Sequence, residues 1–148
     1  GIKDYENYFG HFLHNLTELN RDNRKNFDWK TIRDLYSKIH YANEKKILSS
    51  VHDISEGGML VALFETLMMD KLGTALSVPE EVNETAWLYS ELPGHFVVSV
   101  DRKNKEAFEH HFPSTLREFL GETDNSGRIR VSGEELSTHE LTKAWRNE

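Results

Sequence analysis

The sequence predicts an α/β (α+β) sandwich, with one mostly antiparallel, mixed sheet flanked by helices and a partly ferredoxin-like order of elements. Three observations predict it. "HFVVSV", His95 to Val100, is a β-branched strand pattern, and "GMLVALFETLMMDKLG", Gly58 to Gly73, reads as an apolar helix. Between and beyond them, strand-like and helical runs follow one another in the manner of a split βαβ unit.

The elements follow in order. Residues 1–27 form an aromatic and polar lead-in segment, and residues 28–148 form one domain. In the lead-in, "YENYFGHFLHNL" is expected to be a short helix packing its aromatics on the main body. Asp28 is placed to cap "WKTIRDLYSKIHYANEKKI", where Ile32, Leu35, Tyr36 and Ile39 recur at helical spacing. "ILSSVHDIS" is the first strand. The apolar helix after it is hydrophobic nearly all round, which implies burial on most sides, and places the Met68–Met69 pair in the core. Gly73 is its expected C-cap. "TALSV" is a short second strand, and "PEEVNETAWLYSELPG" is a helix or irregular segment with a solvated acidic face. "HFVVSV" comes next, and Asp101 caps the helix "RKNKEAFEHHF". "LREFLGETD" and "RIRVSG" suggest a hairpin across "DNSG". Ser137 caps a last helix, with Glu140 at the capping-box position.

The 148 residues carry a net charge of −7, with 37% hydrophobic and 29% charged residues and no cysteine. The basic residues are scattered among acids, which argues against a nucleic-acid surface. No apolar run reaches the roughly 18 residues of a membrane span. The polar, aromatic start does not read as a signal peptide. The absence of cysteine excludes disulfides and thiolate zinc sites, and fits a reducing, cytoplasmic setting. An acidic domain that handles phosphates needs magnesium, backbone amides or a basic partner.

"VHDISEGG", Val51 to Gly58, concentrates the chemistry. A strand ends in His52, Asp53 and Ser55, and paired glycines then open a helix. A helix N-terminus suits an anion. Ser55 can cap that helix or give a hydroxyl to a phosphate, and an exposed Asp53 beside such a site is a natural magnesium ligand. Junctions of this kind also carry Asp, Ser and Gly for capping alone. The spacing matches neither G-x-G-x-x-G nor a P-loop. His52 suits a base, a ligand or a half-buried hydrogen-bonding role. His110 and His111 are adjacent on a helix and point apart, which disfavours a shared metal.

"SSVHDISEGGMLVALFETLMMDKLGTALSV" resembles the C-terminal domain of the aminoimidazole ribonucleotide synthetase superfamily, in its phosphoribosylformylglycinamidine synthase branch. That family reads H-D-x-S-D-G-G-L, an Ala-rich apolar helix and G-L-G-A. His52, Asp53, Ser55, Gly57, Gly58, Leu72, Gly73 and Ala75 stand in those places. "WLYSELPGHFVVSV" is similar to the family's L-F-S-E-S-x-G-R-F-x-V, and the tail through Trp145 resembles its closing hairpin and helix. The resemblance covers roughly residues 28–145.

It implies a fold like the C-terminal domain of aminoimidazole ribonucleotide synthetase. It also implies part of an ATP-dependent ligase making formylglycinamidine ribonucleotide from formylglycinamide ribonucleotide in purine biosynthesis. Asp53 would hold Mg2+. Ser55, Gly57 and Gly58 would meet the phosphate of ATP or ADP, His52 would orient the loop, and Ser90 and Glu91 would lie near a domain interface. In large fused synthases the matching loop serves a structural nucleotide site. Nucleotide would be bound jointly with an N-terminal ATP-binding domain, and ammonia would come from a glutaminase domain or subunit. Neither is recognisable here, so the chain is expected to be one domain of a larger synthase, inactive alone and prone to self-association. Three positions depart from the pattern: Glu56 replaces Asp, Leu92 a polar residue and His95 an Arg. The last puts any phosphate contact of that Arg in doubt. Two other readings stand beside this one: the matching domain of a related kinase, such as thiamine-monophosphate kinase, or a non-catalytic binding module of the same fold.

Overall fold

The computed structural model describes residues 8–13, 29–91 and 94–147. Seven strands are described: β1 (Tyr8–Leu13), β2 (Ser50–Asp53), β3 (Gly73–Ala75), β4 (Phe96–Asp101), β5 (Arg117–Asp124), β6 (Arg128–Val131) and β7 (Glu134–Ser137). Five α-helices accompany them: α1 (Trp29–Glu44), α2 (Gly58–Met68), α3 (Glu84–Tyr89), α4 (Lys105–His111) and α5 (Thr138–Arg146). The strands form one sheet in the order β2-β4-β1-β5-β3-β6-β7. All neighbours are antiparallel except β3 and β6. The predicted mixed, mostly antiparallel sheet is therefore present. The crossover from β2 through α2 reaches a parallel β3, with β4, β1 and β5 lying between the two.

Side chains of a strand alternate between its faces, and β4 shows where the cores lie. Val98 and Val100 pack with Leu35, Ile39 and Ala42 of α1 and with Phe108 and Phe112 on the α4 side. Val97 points the other way, into a larger cluster with Met59, Leu63 and Leu67 of α2, Trp87 and Leu88 of α3, and Leu120 and Ile129 of the sheet. Helices thus cover both faces. The buried residues of α1 follow the spacing of its apolar stripe, whereas Tyr36 lies at the rim, edge-on to Phe96 with ring centroids 5.4 Å apart.

Several local expectations change. The segment expected as an N-terminal helix contributes β1, and that strand pairs with β4 on one side and β5 on the other. Its two-residue alternation around Phe9, His11 and Leu13 competes with the helical reading, and the open position between two long strands decides. The expected β5–β6 hairpin is not formed, because β3 enters between them: Thr74 pairs with Thr123 of β5 and with Ile129 of β6. The local hairpin is β6–β7 instead, turning on Ser132 and Gly133, both at positive φ. Such a two-residue turn matches the strand twist.

Gly73 is the first residue of β3 and not a helix cap. Lys71, at φ 55°, takes the left-handed position, and Leu72 N–H donates to Leu67 O at 3.1 Å. A side chain on Gly73 would meet Ser126 and the Arg128 carbonyl. Met68 packs on the core, but Met69 is exposed, since α2 has ended. Ser137 caps α5 as expected, accepting from Glu140 N–H, whereas Asp101 accepts from Lys103 N–H and caps a 3-10 turn, Arg102–Asn104, that leads into an α4 with no side-chain cap of its own. The capping assignment for Asp28 lies outside the described residues.

Candidate functional site

β2 is an edge strand, paired through Val51–Val98 and Asp53–Phe96, and it delivers the "HDISEGG" loop to one end of the sheet. Ile54 is buried and its N–H donates to His95 O at 2.9 Å, which pins the loop to the entrance of β4. Asp53, Ser55 and Glu56 on either side of it are exposed. An apolar anchor between polar neighbours explains this: burying Ile54 turns its flanking side chains to solvent.

His52 lies half-buried between the strand and α2. Its Nδ1 is 2.8 Å from Asp53 O, and its Nε2 is 3.1 Å from Glu65 Oε2. Both partners are acceptors, so whichever ring nitrogen carries a proton donates to one of them. This ring therefore ties the Asp53 backbone to α2, the half-buried hydrogen-bonded role among those open to it. Glu65 is a neighbour of this loop that sequence reasoning missed. The available signal was that it is the only charged residue within α2, a lone acid in an apolar helix.

The glycines do two different jobs. Gly57 is the N-cap of α2 at φ 85°, and its N–H donates to Glu91 Oε1 at 2.8 Å. Gly58 has φ 75°, and a Cβ there would stand 2.6 Å from the Tyr89 backbone. Its N–H donates to Ser55 O at 3.1 Å. Both glycine amides are thus engaged within the protein. Ser55 contributes its backbone carbonyl to this turn, and α2 has no side-chain cap at Gly57. Ser90 ends α3, donating its hydroxyl to Ala86 O. His52, Asp53, Ser55, Gly57, Gly58 and Glu91 therefore gather at one strand exit.

His95 is buried at 4% exposure beside this loop. The imidazole is enclosed by the protein and does not reach the surface of the loop. His110 is exposed and His111 lies between α1 and α4, its Nε2 2.9 Å from Lys38 O. No group of three or more His, Asp or Glu side chains able to hold a metal is found among the described residues. A surface depression of about 310 Å³ lies elsewhere, lined by Leu76, Arg130 and Glu134 among others, and none of the loop residues borders it. No helix among the described residues is long and apolar enough to cross a membrane.

Among the described residues three carboxylates away from the loop are perturbed, and hydrogen bonds from Lys103 hold Asp101 below its usual range. Burial opposes ionisation of Asp124, but hydrogen bonds from Ser126 and Arg130 hold it below its usual range. Burial pushes Glu118 up, against the hydrogen bond it accepts from Trp87 Nε1 at 2.9 Å. A raised value in the folded state favours folding at acid pH, and that contribution is lost as pH rises through the folded value. Glu118→Gln keeps the acceptor and removes the charge. It is expected to raise Tm at pH 7 by about 2 °C, with the gain vanishing below about pH 4, where the wild-type carboxyl is protonated in both states. Thermal melts across pH check this, and an equal gain at every pH would contradict it.

No family model matches the chain. It is 34% identical over 118 residues, 78% of its length, to the phosphoribosylformylglycinamidine synthase subunit PurL of Lactobacillus helveticus. It is 36% identical over 110 residues, 71% of its length, to the same subunit of Cutibacterium acnes. The chain spans only 16% and 14% of those relatives. Among solved structures it resembles phosphoribosylformylglycinamidine synthase II of Thermotoga maritima, with a TM-score of 0.72 and 15% identity, over 92% of this chain and 26% of that one. PurL of Thermotoga maritima complexed with ATP gives a TM-score of 0.71, at 13% identity, over 92% of this chain and 25% of the other. These structural likenesses establish the fold.

Proposed function

From the homology of this chain, over most of its length, to one segment of the phosphoribosylformylglycinamidine synthase subunit PurL, we propose that it serves as one domain of such a synthase. It would contribute to the ATP-dependent conversion of formylglycinamide ribonucleotide to formylglycinamidine ribonucleotide in purine biosynthesis. The observation that carries this reading is the pair of exposed oxygen donors, Asp53 and Ser55, set on a pinned loop at the start of a buried helix.

Magnesium fits this donor set. The ion keeps several waters and takes the remainder of its shell from one or two carboxylates and from phosphates. A single exposed Asp53, with no group of three acids beside it among the described residues, suits a cation that arrives with a nucleotide. Ser55 would then contact phosphate, Gly57 and Gly58 would form the tight turn that presents the loop to it, and His52 would hold the loop. Magnesium bound here would neutralise phosphate charge.

The partners of this reading are an ATP-binding companion domain, which completes the nucleotide site, and a glutaminase domain or subunit that supplies ammonia. Ser90 and Glu91 stand at the companion interface. The exposed Trp29, Tyr36 and Tyr89 are apolar area that a companion would cover, and that drives self-association in its absence. The chain acts in the cytoplasm and is inactive by itself.

Reconstitution tests this. The companion region, an ammonia source and this chain are combined, and ADP release dependent on formylglycinamide ribonucleotide is measured. Release that requires this chain is the expected result. No release from a companion shown to be folded and bound to the chain would sink the proposal.

A further inference from the structure

Glu91 follows α3, yet its carboxylate reaches back to the first turn of α2, 34 residues earlier in sequence. Two features lock these elements together. The Tyr89 backbone sits against Gly58 so closely that even a methyl group has no room. Next to that steric seat, Gly57 N–H donates to Glu91 Oε1 at 2.8 Å. A carboxylate at a helix N-terminus is electrostatically favoured, and hydrogen bonds to a charged acceptor are stronger than neutral ones. The exposed side chains of Asp53 and Ser55 take no part in that hydrogen bond, so a phosphate can meet them without displacing Glu91.

We propose that Glu91 is a positioning residue for the Asp53–Gly58 loop, fixing it from the end of α3. This rests on the phosphate-loop reading above. The end of α3 thereby helps set where Asp53 and Ser55 stand, and movement of α3 is transmitted to them through this hydrogen bond together with the Gly58–Tyr89 contact. The role assigned is orientation of the loop; Glu91 is not placed in contact with substrate.

The test compares wild type, Glu91→Ala and Glu91→Gln in two measurements. In the chain itself, amide hydrogen exchange at Gly57 is followed by NMR. Glu91→Ala is expected to speed it by roughly tenfold, with Tm nearly unchanged, and Glu91→Gln, whose amide oxygen still accepts, should return it close to wild type. In the reconstituted assembly, Glu91→Ala should raise KM for magnesium-ATP by roughly tenfold with kcat little altered, and Glu91→Gln should rescue it. Unchanged Gly57 exchange in Glu91→Ala overturns the positioning role. A lowered KM does so too, because it would make Glu91 an occupant that phosphate must expel. If the wild-type assembly releases no ADP, the synthase reading fails, while Gly57 exchange still decides whether Glu91 holds the loop.

Discussion

Gly58→Ala is expected to lower Tm by about 10 °C, the largest stability loss of any single methyl added to the loop. Two costs add. At φ 75° an L side chain adopts a conformation it rarely occupies, at about 1–2 kcal/mol. The new Cβ would also stand 2.6 Å from both Cα and C of Tyr89 and 2.9 Å from Leu88 O. These are backbone atoms of a packed helix, so relief requires α3 to move off α2, together with the buried Trp87 and Leu88. Gly133→Ala separates the two costs. That residue has φ 86° with nothing within 4 Å of its Cβ, so only the first cost applies, roughly 1 kcal/mol. Thermal unfolding of both variants checks this. Similar losses at the two positions would show that the α2–α3 contact gives way cheaply.

Asp53→Ala is expected to do the opposite: little to the fold and much to the chemistry. The side chain is exposed at the end of an edge strand, and surface substitutions of this kind change stability by about 0.5 kcal/mol or less. In the reconstituted assembly, losing the carboxylate that would hold magnesium should reduce substrate-dependent ADP release on the order of a hundredfold. Asp53→Asn, nearly the same shape without the charge, should lose as much. If Asp53→Ala unfolds the chain, the residue is a structural element of the loop and the metal assignment falls.

What the sequence made legible depended on how local each signal was. The loop was legible because its chemistry lies in eight consecutive residues, Val51 to Gly58, and because the apolar run after it leaves only one structure for it to enter. The capping of α5 by Ser137, and of the 3-10 turn that leads into α4 by Asp101, was legible for the same reason, since both side chains act within a few residues of themselves. The β5–β6 hairpin was a misreading because turn chemistry at "DNSG" is local while β3, which separates the two strands, comes from the middle of the chain. The lead-in strand was missed because its aromatics suit a short helix and a strand about equally, and only pairing on both edges chooses. The Glu91–Gly57 contact joins positions 34 residues apart and nothing in either segment announces the other, whereas the His52–Glu65 contact was signalled only by a lone acid in an apolar helix.

The strand order has a consequence for how the chain reaches its fold. Among the described strands, β6 and β7 are the only neighbours in the sheet that are also consecutive in sequence. Every other pairing closes a loop that contains at least one further element, and each closure spends chain entropy before its hydrogen bonds repay it. Sheets built from such distant pairings assemble more slowly than helical bundles of similar stability. β1, between β4 and β5, waits for residues near 96–101 and 117–124. The centre of the sheet therefore closes only once residues as far apart as 8–13 and 117–124 are present, and on a ribosome the earliest of the described strands would wait longest for both of its partners.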